Sequence, residues 1–324
     1  MRKLFTSSSP KVNKPTTDPD RIVHASGGRT IHDTNFYDIG NVEYFYKLER
    51  NTIDYYKRDI ENYKGKWLGT DNPTNWEKNK QSHQGSPDFV YWENNPITYK
   101  FNNYQFRTPD DFNTEDEGII FLGCSHTSGI GLHWNQTWVH HICKRYKRKA
   151  WNLAIGGMGI QTCYRNLAIW TQKERRLKAK KVLLLIPHYE RWEFASYARN
   201  KSHNYTPVTA QTLEGLLGRN TTANNVVSEL LFSETTTFWN MRSQLDAIRA
   251  ICMELGMDLH VSTTLPILYQ QGNNLPVPNC ARDFAHCSPA QQQEIAENFV
   301  YLIDNNIQYH PNTHDFMSRA WEAK

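Results

Sequence analysis

Short apolar runs alternate with amphipathic stretches through the chain from residue 118 onward. Each run is long enough for a strand, and the stretches between them show the three-to-four-residue spacing of helices. The predicted strands cover residues 118–123, 149–154, 181–187 and 257–263. The predicted helices cover residues 133–147, 160–178, 236–255 and 289–304. Because such alternation is typical of a parallel sheet with helices on both faces, the pattern predicts an α/β fold with three α/β/α layers.

The pattern is different before residue 118. Residues 1–40 are rich in Ser, Thr, Pro, Asp and Lys and carry few apolar groups, which predicts an extended arm. Apolar and aromatic residues recur at helical spacing over 42–63, whereas 64–117 is predicted to be irregular. We therefore divide the chain into an arm (1–40), an N-terminal extension (41–117) and a main domain (118–324).

Within the main domain, residues 188–235 are too many for a simple connection between a strand and a helix. The segment follows the predicted strand 181–187, and ligands of such folds bind beyond the carboxyl ends of the strands. We therefore expect an insertion over the functional site.

Composition and charge exclude some classes of partner. A net charge of +4 over 324 residues is small and does not indicate a nucleic-acid partner. No segment has the 18 or more consecutive apolar residues typical of a membrane helix, and the start of the chain lacks a long apolar stretch for export. We expect a protein that is cytoplasmic as made, without a membrane partner. The six cysteines have no zinc-type spacing, so we expect no metal site.

Two short segments carry the chemistry. A glycine-rich turn, Gly123 to Gly131 (GCSHTSGIG), places Ser125 directly after an apolar strand. The second segment, Asp283 to Pro289 (DFAHCSP), offers His286 with an aspartate three residues before it. A serine hydroxyl needs an imidazole to take its proton and a carboxylate to orient that imidazole. Ser125, His286 and Asp283 could supply these three roles.

These segments resemble the first and last blocks of the SGNH (GDSL-like) hydrolases, which read Gly-Asp-Ser-x-Thr-x-Gly-x-Gly and Asp-x-x-His. The chain has the glycines, the serine and the threonine of the first block, but Cys124 stands where aspartate is usual. After the last block, Ser288 and Pro289 are suited to the N-cap and first position of the helix that follows the catalytic histidine in that family. The resemblance implies a parallel sheet of the flavodoxin-like kind.

Other blocks of the family match less completely. In the segment 151–159 (WNLAIGGMG), Gly157 occupies the position whose amide binds the oxyanion, together with the amide of Ser125. The segment ending in Phe106-Arg107 resembles one that precedes the nucleophile in many relatives, with Gln105 in place of glycine. The asparagine expected after the strand 181–187 is absent. That third oxyanion donor is either missing or replaced by Arg191 or His188.

The resemblance implies a serine ester hydrolase that needs no metal or cofactor. Ser125 would attack the acyl carbon, His286 would carry the proton, and Asp283 would orient His286. His188, Tyr189 and Arg191 would contact the acyl ester substrate. Acetyl groups on sugars are among the family's substrates, and aromatic residues near the site, including Trp138 and Trp192, favour an acetylated glycan. Ordinary packing explains these aromatic residues equally well.

The alternative is a catalytically inactive binding or structural protein built on the same fold. The chain resembles versions encoded by phages, which have a similar Gly-Cys-Ser-x-Thr block and an N-terminal arm. That resemblance implies docking of residues 1–40 on a protein assembly partner and association with a virion. The missing asparagine favours this alternative, whereas the intact serine, aspartate and histidine favour the hydrolase.

Overall fold

The computed structural model describes residues 64–102, 104, 106–109, 111–112, 117–174, 177–188, 190–196, 204–208, 229, 231–263 and 276–310. The predicted arm (1–40) and the predicted helix (42–63) lie outside the described residues. Nearly all described residues belong to one compact unit, residues 54–195 and 205–324. A second unit comprises residues 1–53 and 196–204, of which only Ser196 and Asn204 are described.

The main sheet has four parallel strands, which agree with the four predicted from the apolar runs. They are β3 (Gly118–Leu122), β4 (Lys149–Asn152), β5 (Ala179–Ile186) and β8 (Asp258–Thr263). Their order is β4-β3-β5-β8, with Ile120 opposite Trp151 on one side and Val182 on the other. This is the 2-1-3-4 order of flavodoxin-like sheets. Two further strands, β6 (Trp192–Ser196) and β7 (Asn204–Val208), pair with each other within the predicted insertion.

Helices cover both faces of the sheet. They are α3 (Ser125–Ser128), α4 (Trp138–Tyr146), α5 (Ile160–Lys173), α6 (Glu234–Glu254) and α7 (Pro289–Asp304). In β3 and β5, odd-numbered residues such as Phe121 and Leu183 share a core with α4 and α7. The even-numbered residues of these two strands point to the opposite face, and α5 and α6 pack together. The predicted three-layer α/β/α sandwich is confirmed.

Two predicted helices have different bounds in the structure. The helix predicted over 133–147 begins at Trp138, because Thr137 is its N-cap and accepts a bond from the His140 amide at 3.2 Å. The residues before it form a short 3₁₀ helix, Trp134–Gln136. The helix predicted over 160–178 ends at Lys173, where the chain turns and the Leu177 amide donates to the Glu174 carbonyl at 2.8 Å.

The prediction that residues 64–117 are irregular is wrong for its first half. That part contains β1 (Lys64–Gly65), α1 (Pro73–His83), α2 (Pro87–Asn94) and β2 (Tyr99–Lys100), and β1 pairs with β2. Neither helix shows clear apolar periodicity, but both begin with proline after a capping side chain, Asn72 or Ser86. The segment shares a second core with the main domain, formed by Leu68, Trp92, Ile97, Tyr99, Ile130, Leu132 and Ala281.

The strand order defines where a site can form. The chain runs from β3 outward to β4 on one side and then to β5 on the other, so the order reverses between β3 and β5. Ligands of such sheets bind in the crevice at the carboxyl ends of the strands at this point. Ser125 follows β3, Gly157 follows β4 and Arg191 follows β5, so three predicted site residues follow the carboxyl ends of neighbouring strands.

Candidate active site

The nucleophile turn is made tight by a glycine at its first position. A Cβ added to Gly123 would lie 2.1 Å from Thr127 Oγ1 and 3.0 Å from the Leu185 carbonyl oxygen. No other residue fits this close approach, and the chain turns directly from β3 into α3. Ser125 is the first residue of α3 and is 5% exposed. The sequence therefore places the serine at the sharp strand-to-helix turn that the resemblance implies.

A buried arginine fixes the far end of the same turn. Arg107 donates to the carbonyls of Ser128 (2.8 Å), Gly129 and Leu132 (2.6 Å). Its guanidinium lies 4.5 Å from the centre of the Tyr99 ring. Burial lowers the pKa of Arg107 to about 10, so it remains a cation at neutral pH. Arg107 belongs to the predicted Phe-Arg segment and acts here as a scaffold for the serine loop.

The predicted acid and base are hydrogen-bonded to each other. His286 Nδ1 lies 2.6 Å from Asp283 Oδ2, and the two side chains are 11% and 0% exposed. With Nδ1 engaged, Nε2 remains the nitrogen that can accept a proton from a serine. The same carboxylate accepts bonds from Thr70 Oγ1 at 2.6 Å and the Ala285 amide at 3.2 Å.

These contacts keep the carboxylate ionised. Burial raises the pKa of Asp283, but the hydrogen bond and charge of His286 and the bonds from Thr70 and Ala285 outweigh it. The net effect is a pKa below the ordinary value. An ionised Asp283 is the form that orients a neutral imidazole and stabilises the imidazolium.

The serine loop and the acid–base loop meet through their backbones. Arg282 N donates to the Gly131 carbonyl at 2.8 Å. Gly131 has φ of 77°, and a Cβ there would lie 2.8 Å from Ala281 Cβ and 3.1 Å from Asp283 Oδ1. A glycine is required because the loop that follows Ser125 runs directly against the loop that carries Asp283.

The serine hydroxyl is not bonded to the histidine in this structure. Among the described residues, its hydrogen-bond partner is Cys124 Sγ at 3.9 Å. His286 is nevertheless close to the serine loop, because its ring lies 5.0 Å from the ring of His126, the residue after Ser125. Contacts between nucleophile and base are often long without substrate. A rotation of the Ser125 hydroxyl away from sulfur is needed for the relay.

His126 is a further member of the site that sequence reasoning did not single out. Its Nδ1 is buried and has no hydrogen-bond partner among the described residues. Burial is the main cause that lowers the pKa of His126 to about 3, and the charges of His286 and Arg191 add to it. His126 is therefore neutral at working pH, between the base and the loop after β5.

The loop after β5 departs from the family pattern, as the sequence indicates. Arg191 Nη1 lies 3.4 Å from the Met158 carbonyl, and the Arg191 amide bonds to the His188 carbonyl at 3.2 Å. Arg191 is thus beside the Gly157 turn, whereas His188 is exposed. Gly157 has φ of 84°, and no atom of the described residues lies within 4 Å of a Cβ added there. Tyr189 lies outside the described residues.

A buried glutamate anchors this side of the site. Glu193 accepts bonds from the amides of Gly159 (2.7 Å) and Thr162 (3.1 Å), and it pairs with Arg165 at 3.2 Å. A carboxylate at the N-terminus of α5 satisfies amides that the helix leaves free. Glu193 thereby ties the strand β6 to the end of the Gly157 turn. A contact between residues so far apart in sequence leaves no local signal by which it could be predicted.

One of the aromatic residues predicted near the site is not available to a ligand. Trp138 is fully buried and stacks on Phe299 at 4.6 Å in the core, so it cannot contact a glycan. Within the described ranges, no group of three or more His, Cys, Asp or Glu residues could hold a metal ion. None of the helices described is long and apolar enough to span a bilayer.

Comparison with known proteins gives fold-level likenesses. No protein-family model and no curated protein matches the chain. Among solved structures, TesA is similar at 13% identity and a TM-score of 0.30, over 58% of this chain and 99% of that chain. A member of the lipolytic protein G-D-S-L family from Veillonella parvula DSM 2008 is similar at 14% identity and a TM-score of 0.29, over 58% and 98%. The functional proposal therefore depends on the residues of the site.

Proposed function

We propose that this protein is a serine ester hydrolase of the SGNH type that acts on short acyl esters. The observation that carries the proposal is the 2.6 Å bond between His286 Nδ1 and Asp283 Oδ2, next to a buried serine at a strand-to-helix turn. The loops that carry these residues are held by contacts with each other and with the rest of the domain. Gly131 brings the two loops together, and Arg107 fixes the far end of the serine turn.

The proposed reaction begins when the Ser125 hydroxyl leaves Cys124 and attacks the acyl carbon. His286 Nε2 takes the hydroxyl proton, and Asp283 holds Nδ1–H so that the imidazolium is stabilised. Negative charge develops on the carbonyl oxygen and is bound by the amides of Ser125 and Gly157. His286 then protonates the leaving alcohol, which releases it and leaves an acyl group on Ser125. Water attacks that ester with His286 again acting as the base, the bond between the acyl carbon and Ser125 Oγ breaks, and the carboxylic acid leaves as His286 returns the proton to Ser125.

The substrate proposal is an acetyl or other small acyl ester, with acetylated glycans as one class to test. Arg191 and His188 follow β5 where the family has its asparagine, so we assign to Arg191 the third contact to the oxyanion or substrate. The glycan preference is weaker than the aromatic content alone indicates, because Trp138 is part of the core.

The test compares wild type with Ser125→Ala and Ser128→Ala on a short-chain aryl acetate. Ser128 lies in the same helix and donates to the Ser125 carbonyl at 3.2 Å, so it is a matched serine outside the relay. We expect Ser125→Ala to lose about 10⁴-fold or more in kcat and Ser128→Ala to stay within about tenfold. An acetylated polysaccharide in parallel distinguishes a glycan esterase from a general one.

A second candidate is a binding protein that has lost catalysis. Two observations favour it: the Ser125 hydroxyl contacts Cys124 rather than His286, and no asparagine follows β5. Rates at background for wild type and for Ser125→Ala alike would support this candidate and sink the hydrolase. Docking by residues 1–40 and association with a virion stay predictions, since the arm lies outside the described residues.

A further inference from the structure

The acid–base loop is held by the segment that precedes the main domain. Arg282 Nε donates to Asp71 Oδ1 at 2.8 Å, and Arg282 Nη2 lies 2.5 Å from Asp71 Oδ2. The side chains of this pair are 4% and 1% exposed. Tyr99 Oη donates to the same Asp71 carboxylate. The residue before the catalytic aspartate is therefore fixed to a turn more than two hundred positions earlier in the chain.

The preceding residue of that turn, Thr70, contacts the proposed catalytic aspartate itself. Thr70 Oγ1 donates to Asp283 Oδ2 at 2.6 Å, and this is the oxygen that binds His286 Nδ1. Consecutive residues, Thr70 and Asp71, thus contact the consecutive residues Asp283 and Arg282. The pair of Asp71 with Arg282 thus holds the neighbouring Thr70 hydroxyl close to Asp283.

The turn that carries Thr70 is itself well supported. Leu68 and Asp71 exchange two backbone bonds of 2.7 and 3.1 Å across it. Asn75 Nδ2 donates to the Thr70 carbonyl at 2.7 Å, and Asn72 Nδ2 donates to it at 3.3 Å. Thr70 is exposed as a residue, so its place in the turn depends on these bonds rather than on core packing.

We infer that Thr70 is a fourth, positioning member of the catalytic relay, which holds the Asp283 carboxylate in line with His286. This inference rests on the proposed hydrolase function. A hydroxyl donor on Oδ2 fixes the rotation of the carboxylate about its last bond, and His286 then meets a defined oxygen. By donating a hydrogen bond, the hydroxyl also stabilises the negative charge of the Asp283 carboxylate. It is one of the contacts that lower the pKa of that group.

Several other groups act on this pair and must be kept constant in the test. His286 bonds to Asp283, and its ring lies against the ring of His126. The charges of Arg191 and His188 contribute to the lowered pKa of His126. Arg282 is adjacent to Asp283 in sequence but is paired with Asp71. Burial raises the pKa of the Cys280 thiol, and the charge of Asp283 adds to this effect. A variant that removes only the Thr70 hydroxyl leaves all of these in place.

The experiment compares wild type with Thr70→Val, Thr70→Ser and Thr74→Val. Valine keeps the shape and removes the hydroxyl, serine restores it, and Thr74 is an exposed threonine four positions further along that serves as the control. The carboxyl carbon of Asp283 is titrated by NMR with labelled aspartate, and kcat/KM on the aryl acetate is measured across pH. Thermal unfolding checks that each variant is folded.

We expect the titration midpoint of Asp283 to move to higher pH in Thr70→Val alone. Its kcat/KM should fall about tenfold, because a hydrogen bond to a charged group corresponds to roughly one to two orders of magnitude. Thr70→Ser and Thr74→Val should match wild type.

An unchanged Asp283 titration in Thr70→Val would overturn the inference, whatever the rate of that variant. Should wild type show no Ser125-dependent turnover, the proposed function fails, and the carboxyl titration still decides whether Thr70 holds the acid. If Thr70→Val does not fold, Thr70→Ala removes the same hydroxyl at an exposed position and gives the same titration test.

Discussion

The acid–base loop (279–288) and the loop after β5 (187–191) both contribute residues to the candidate site, but they are held very differently. The first is fixed by the buried pair of Arg282 with Asp71, and the indole of Trp92 donates to the Cys280 carbonyl at 3.1 Å. The second makes, among the described residues, one turn bond and one long contact from Arg191 to Met158. Among the described residues, Asp283 and His286 therefore lie in a loop with more stabilising contacts than the loop that carries Arg191.

The largest effect should come from removing the charge of Asp283 in the acid–base loop. Asp283→Asn keeps the shape of the side chain and removes the charge that orients His286 Nδ1. We expect kcat/KM on the aryl acetate to fall by about 10³- to 10⁴-fold. Asp88→Asn is the control, because Asp88 accepts a bond at 2.6 Å from the Asn279 amide of the same loop and is not a member of the proposed relay. Similar rates for the two variants would contradict an orienting role for Asp283.

The support of that loop can be removed without touching the relay. Asp71→Asn leaves the buried guanidinium of Arg282 without its charge partner, so we expect the free energy of unfolding to fall by about 3 kcal/mol. Urea titration measures it. Glu117→Gln, which breaks the pair with Arg148 where both side chains are nearly half exposed, should cost less than about 1 kcal/mol. Equal costs would mean that the Asp71–Arg282 pair does not stabilise the loop.

In the loop after β5, the most informative substitution is Arg191→Ala. If Arg191 replaces the missing asparagine, kcat should fall by about 100-fold, the typical effect of losing one oxyanion donor. The unfolding midpoint should not change, because the side chain makes one long contact. Arg191→Lys should recover part of the rate. A loss in KM with kcat unchanged would assign Arg191 to ground-state binding of substrate instead.

The smallest effect concerns His126, which is buried between the two loops. In the folded protein the pKa of His126 is about 3, against 6.5 for an ordinary histidine, so the unfolded chain binds the extra proton between these values. Stability from this group is complete above pH 6.5 and is lost as the pH falls toward 3. We expect wild type to lose about 2 kcal/mol more than His126→Gln between pH 7 and pH 5. Urea titrations at both pH values measure the free energy of unfolding, and an equal loss in the two proteins would contradict the burial of His126.

Much of the fold could be predicted from local pattern. The strands were predicted because β3 and β5 are apolar over nearly their whole length, and α7 was predicted at its exact bounds from Ser288 and Pro289. The same N-cap and proline signal stands before α1 and α2, at Asn72-Pro73 and Ser86-Pro87, and it was overlooked because those helices have little apolar periodicity.

The residues of the candidate site also differ in whether local sequence predicts them. Ser125, Asp283 and His286 were predicted from short motifs, because their chemistry depends on near neighbours in sequence. Thr70, His126 and Glu193 were not, because their roles depend on contacts with distant segments or on burial. Glu193 caps a helix that begins more than thirty positions earlier, and Thr70 contacts a residue in the last quarter of the chain. A single sequence carries no trace of such pairs.

The backbone bond from Arg282 to Gly131 has a consequence for synthesis of the protein. The ribosome makes β3, the serine turn, β4 and β5 long before residue 282 emerges, so the turn exists for a time without its acid and base. A serine without an imidazole is a weak nucleophile. If Ser125 is the nucleophile that we propose, the nascent chain would be inert toward esters until its acid–base loop has closed on both the serine turn and the earlier turn at Asp71, and reactivity would be the last property that the folding chain acquires.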